Sequence, residues 1–100
     1  MTQNLSNERE YTISAARSTN ATFIDLNLAS TNYVNAIGSA ASNRYNLALS
    51  DYTHLNDWGA AVFARMVVDL LLKESALAGV GSFITPNATM SDLIAAGKPA

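Results

Sequence analysis

Between Asn56 and Glu74 the chain writes a helix that is apolar on almost every side, and this segment limits what the whole can become. Asn56 or Asp57 can cap its start, because their side-chain oxygens accept from backbone N–H groups that have no partner in the first turn. The periodicity predicts a helix from about Trp58 to Glu74. Its polar residues Arg65, Asp69 and Lys73 recur at intervals of four and fall on one stripe, while Ala60, Val62, Phe63, Met66, Val67, Leu70, Leu71 and Leu72 cover much of the rest. Such a helix calls for cover from several neighbours. Arg65 and Asp69 in its middle argue against a membrane span.

The remainder of the chain supplies little cover. Glu8 to Arg17 reads as a short helix with a mildly apolar face of Tyr11, Ile13, Ala15 and Ala16. Ala21 to Leu28, with a β-branched and aromatic start after Ser18-Thr19-Asn20, reads as a strand. Ser30 or Thr31 can cap a helix through Tyr33 and Ile37 that stops at Gly38. Asn43 to Asp57 is rich in residues that bond their own backbone in turns, and places Asp51, Thr53 and His54 on a loop. In the tail, 75–100, Gly79, Gly81 and Pro86 predict loop, followed by a last helix from Met90 to Ala96. The tally is about four helices and one strand. A strand's N–H and C=O groups need neighbours on a sheet, so this pattern predicts an α/β fold, as the end of a larger α/β domain.

Composition narrows the function classes. One hundred residues form a single unit with no room for a second core. Apolar residues are 49% and charged residues 14% of the chain, with a net charge of −2 and no run of one sign. That excludes a disordered tail and gives no basis for nucleic-acid or membrane-surface binding. With no cysteine and one histidine, neither a thiol nucleophile nor a zinc site is available, and nothing calls for a cofactor. Met1 to Glu10 has no apolar core of a signal peptide. Asn4, Asn20 and Asn87 head N-x-[ST] sequons, candidates for glycosylation.

The chemistry concentrates in Asp51-Tyr52-Thr53-His54-Leu55-Asn56, which holds the single histidine three residues after a carboxylate. An aspartate against one imidazole nitrogen fixes the tautomer, so the other nitrogen can take a proton from a hydroxyl. On a loop, that spacing lets both side chains turn to one side.

In its blocks Phe23-Ile-Asp-Leu-Asn27, Tyr33-Val-Asn-Ala-Ile-Gly38, Asp51-Tyr-Thr-His-Leu-Asn56, Gly59-Ala-Ala-Val-Phe-Ala-Arg65 and Val68-Asp-Leu-Leu71, the chain resembles the SGNH (GDSL-type) hydrolases. The resemblance is particularly to the branch of polysaccharide deacetylases that includes rhamnogalacturonan acetylesterase. The resemblance spans roughly Ala15 to Leu72. It implies the C-terminal portion of a three-layer α/β/α, flavodoxin-like fold with one parallel strand in this chain, Asp51 as orienting acid and His54 as general base. It further implies an acetylated polysaccharide substrate, secretion, and the missing N-terminal part of the domain as a partner.

The departures bear on activity. The family's nucleophile lies in a Gly-Asp-Ser block and its oxyanion donors in glycine and asparagine blocks, and neither these nor a Gly-x-Ser-x-Gly elbow occurs here. A base contributes roughly 100- to 10,000-fold only by acting on a nucleophile, so the chain alone is expected to be inactive. The other polar residues read structurally: Asp25 as a strand end, Asn56 as a cap, Arg65–Asp69 as a surface ion pair, with Trp58 and Phe63 in the core. The competing expectation is a small, non-catalytic helical protein that buries the Trp58 helix against a partner.

Overall fold

The computed structural model describes residues 1–100, with all side chains except that of Ala78. About two thirds of the residues are helical, in α1 (Ser6–Ser18), α2 (Leu26–Ile37), α3 (Ser39–Ser42), α4 (Asp57–Lys73) and α5 (Ala88–Ala95), with 3₁₀ turns at Asn43–Tyr45 and Ser75–Phe83. The expected α/β architecture is therefore corrected. Among the described residues there is no strand or sheet, only an isolated antiparallel bridge between Asn46 and Leu55.

The expected strand at Ala21 to Leu28 divides in two: Ala21 to Asp25 has no regular structure and Leu26 opens α2. Among the described residues no other strand answers its backbone groups, whereas a helix answers its own. Asp25 starts that helix by accepting from the Leu28 N–H at 3.0 Å. Its carboxylate also receives the Arg9 guanidinium, with Nε at 2.9 Å from both oxygens, which pins α1 to the start of α2. The guanidinium and, more weakly, the Leu28 N–H hold Asp25 below the usual carboxylate range.

Helix α4 has the predicted extent to within a residue, capped by Asn56 rather than Asp57. Its cover is partial. α2, the Asn43–Tyr45 turn, α5 and the Ser75–Phe83 turn pack against it, and only Gly59, Val62 and Met66 are fully buried. Trp58, expected in the core, is 51% exposed. Arg65 and Asp69, expected as a surface pair, instead tie α4 to the tail. Arg65 Nε donates to Asp69 at 3.1 Å and to Ser91 Oγ at 2.9 Å, its Nη1 donates to the Thr85 carbonyl at 3.1 Å, and Ser91 donates to Asp69 at 2.8 Å.

The buried core is Tyr33, Tyr45, Val62 and Met66, ringed by Leu26, Ala29, Ile37, Phe63, Met90 and Ile94. Phe63 meets the Tyr45 ring edge-on with centroids 6.4 Å apart. Burying two tyrosines requires partners for two hydroxyls. Tyr33 and Tyr45 bond each other at 2.9 Å, both accept from the Ala100 N–H, and Tyr45 donates to the Ala100 carbonyl at 2.9 Å. Trp58 Nε1 donates to the same carbonyl at 3.0 Å, so the segment ending at Ala100 is stitched across α2 and α4. The radius of gyration, 14.4 Å, exceeds the ~13 Å usual for this length. Large apolar side chains correspondingly remain exposed, among them Leu47, Leu49, Tyr52 and Phe83.

Candidate functional site

Asp51 and His54 come together as their spacing predicts. They lie on a loop that leaves the Asn43–Tyr45 turn and returns to the start of α4. The loop closes on itself at its neck: Leu47 N–H donates to the His54 carbonyl and Asn56 N–H to the Tyr45 carbonyl, both at 2.9 Å, around the Asn46–Leu55 bridge. Within it, Asp51 Oδ1 accepts from the N–H groups of Thr53 and His54, each at 2.9 Å. This local turn is what Asp does readily, because its short side chain reaches the backbone two and three residues on.

The same carboxylate meets the imidazole, with Oδ2 at 3.0 Å from His54 Nδ1. An ionised Asp51 only accepts, so neutral His54 carries its proton on Nδ1 and presents Nε2 with a free lone pair. No group among the described residues bonds Nε2, and the imidazole is 69% exposed. The His54 and Thr53 N–H groups, and then the imidazole, hold Asp51 below the ordinary carboxylate range. The arrangement pairs a carboxylate with an imidazole whose far nitrogen is open to solvent.

The remaining expected residues are scattered. Asn4, Asn20 and Asn87 are all exposed, Asn20 in the left-handed region at φ 54° and Asn87 capping α5 by accepting from Met90 N–H at 3.1 Å. Tyr52, between the two members of the pair, is 79% exposed. Among the described residues no group of three His, Asp or Glu side chains converges as metal ligands would, and no helix is long and apolar enough to cross a membrane.

Asn56 does more than the cap expected of it. Its Oδ1 accepts from Gly59 N–H at 2.8 Å, and its Nδ2 donates to the carbonyls of Arg44 at 2.7 Å and Asn46 at 3.1 Å. Gly59 is equally specific: a Cβ there would lie 2.6 Å from the Tyr45 carbonyl oxygen. Glycine lets α4 start directly against the turn from which the loop departs. The cap was legible in sequence, but the partners across the neck are backbone carbonyls, which leave no mark in residue types.

The fold and site together define a small helical chain that presents an exposed Asp–His pair. Comparison with family models, with curated proteins and with solved structures finds no match to this chain.

Proposed function

We propose that this chain supplies the acid and base of a serine ester hydrolase, acting on an acetylated polysaccharide of the rhamnogalacturonan type, as the resemblance in its sequence blocks implies. The observation that carries this reading is the Asp51 Oδ2–His54 Nδ1 contact at 3.0 Å with Nε2 open. In the reaction, Nε2 takes the proton of a serine hydroxyl as its oxygen attacks the acetyl carbonyl. Asp51 stabilises the imidazolium, which then protonates the departing sugar oxygen. The serine and the oxyanion donors come from another polypeptide segment, since this chain has no Gly-Asp-Ser block. The exposed imidazole leaves room for that segment to approach.

The test is hydrolysis of an aryl acetate by this chain combined with a segment bearing a Gly-Asp-Ser block and lacking its own Asp–His pair. The mixture is expected to hydrolyse the ester, the chain alone is not, and His54→Ala is expected to cost roughly 100- to 10,000-fold. Equal hydrolysis by the His54→Ala chain would sink the proposal, as would a mixture that never exceeds the serine segment by itself.

A second reading is favoured by one observation, the exposed apolar side chains Leu47, Leu49 and Tyr52 on the loop and Trp58 and Leu72 on α4. These side chains are available for burial against a partner, and a non-catalytic helical interaction module would use them. Partner binding that survives His54→Ala, with no hydrolysis in any mixture, separates the two.

A further inference from the structure

The loop that carries the acid–base pair has no apolar anchor. Leu47 is 61%, Leu49 95% and Tyr52 79% exposed, and the loop contributes nothing to the core of Tyr33, Tyr45, Val62 and Met66. A loop without packing samples many conformations unless polar contacts select one. Here one turn bond, Asp51 N–H to the Ala48 carbonyl, lies inside the loop, while the contacts that tie it to the rest of the chain stand at the neck. His54 belongs to that neck, because its carbonyl accepts from Leu47 N–H. Asp51 is then placed relative to His54 by the Thr53 and His54 N–H groups. The orientation of the imidazole is thus inherited from the neck.

Asn56 spans that neck with its whole side chain. Oδ1 faces α4 through Gly59 N–H, and the two hydrogens of Nδ2 face the incoming limb of the loop through the carbonyls of Arg44 and Asn46. A planar amide with one acceptor and two donors matches this three-point demand. Serine, threonine and aspartate, which also cap helices well, lack that donor pair. We propose that Asn56 is a positioning residue for the Asp51–His54 pair: it locks the neck of the loop to the first turn of α4, so the pair stands assembled before any nucleophile arrives. The proposal rests on the acid–base reading of that pair, but its test does not need hydrolysis.

Two substitutions separate the clamp from the cap. Asn56→Ser keeps an oxygen for Gly59 N–H and loses both donors. Asn56→Asp keeps a strong cap and sets a carboxylate against the Arg44 and Asn46 carbonyl oxygens. The full chain, labelled with ¹⁵N, is read by the imidazole nitrogen shifts, which report the tautomer of His54, and by amide hydrogen exchange at Leu47 and along α4. In the parent, neutral His54 is expected in the Nδ1–H form. In both variants that form is expected to be lost to the level seen in Asp51→Asn, with faster exchange at Leu47 and unchanged protection in α4. The proposal is overturned if either variant keeps the Nδ1–H form and slow exchange at Leu47. It is equally overturned if α4 loses its protection along with the pair, since Asn56 would then act only through the helix. A mixture inactive toward an aryl acetate would refute the esterase reading while leaving the tautomer result standing, and an active mixture unaffected by Asn56→Ser would do the reverse.

Discussion

Replacing Gly59 by alanine puts a methyl group where α4 meets the Asn43–Tyr45 turn. The added Cβ would lie 2.6 Å from the Tyr45 carbonyl oxygen, 2.9 Å from its Cβ and 3.1 Å from its Cα. These atoms are backbone or joined to it, in a residue only 1% exposed, so none can swing aside. The turn and the helix must separate, at a cost of about 1–3 kcal/mol for overpacking. Separation also stretches the Asn56 N–H bond to the Tyr45 carbonyl, now 2.9 Å, worth about 1 kcal/mol. Against this stands a gain of about 1 kcal/mol from alanine over glycine inside a helix. The balance is a loss near 2 kcal/mol, read as a fall of roughly 0.7–2 M in the urea midpoint at the usual m of ~1–3 kcal/mol/M. Gly79→Ala is the control, since an added Cβ would meet nothing within 4 Å beyond its immediate chain neighbourhood. It is expected to be neutral or to stabilise by about 0.4–1 kcal/mol. A Gly59→Ala midpoint at or above that of the parent would mean that helix propensity outweighs the contact, and would refute the packing argument.

Three further outcomes follow from the same contacts. Burial and the Tyr45 hydroxyl push Tyr33 up to about 12, so in alkali the unfolded chain loses that proton first. Stability is then expected to fall as pH rises from about 10 to 12, and Tyr33→Phe, compared at both ends by urea unfolding, should remove most of that slope. Asp51 is held low by backbone N–H groups, so its contribution is present above the usual carboxylate pKa of ~4 and is lost as pH falls through its lower folded value. Amide protection at Thr53 and His54 should therefore persist through pH 4 and vanish below it, and loss well above that pH would contradict the assignment. Asp25→Ala removes both the α2 cap and the Arg9 contact and should cost about 1–2 kcal/mol, with α1 amides exchanging faster. Unchanged α1 exchange would show that Arg9 does not hold that helix.

The chain illustrates where local rules suffice. Helix α4 was legible because its apolar pattern and its Asn56 cap lie within one stretch of sequence, and the Asp51–His54 pair because its spacing acts over one turn of loop. Phe23-Ile24-Asp25-Leu26 misled because β-branched and aromatic residues announce a strand only when another strand exists to receive it. Asp25 then proved to be a helix cap, a role its residue type allowed equally well. Trp58 misled in another way, since an apolar ring on an apolar helix is core only if something covers it. Here its Nε1 bonds the Ala100 carbonyl and much of the ring stays exposed.

By itself, then, the sequence determined the Asp51–His54 contact and the long apolar helix after it, because both depend on contacts between near neighbours. Tertiary structure alone decided that the chain is helical throughout its described elements. It also decided that two tyrosine hydroxyls are satisfied by a backbone 55 and 67 residues away, and that Asn56 bridges the neck of the loop. The first turns on whether a second strand exists to pair with. The other two turn on which backbone carbonyl or amide stands opposite a side chain, and backbone groups are the same in every residue.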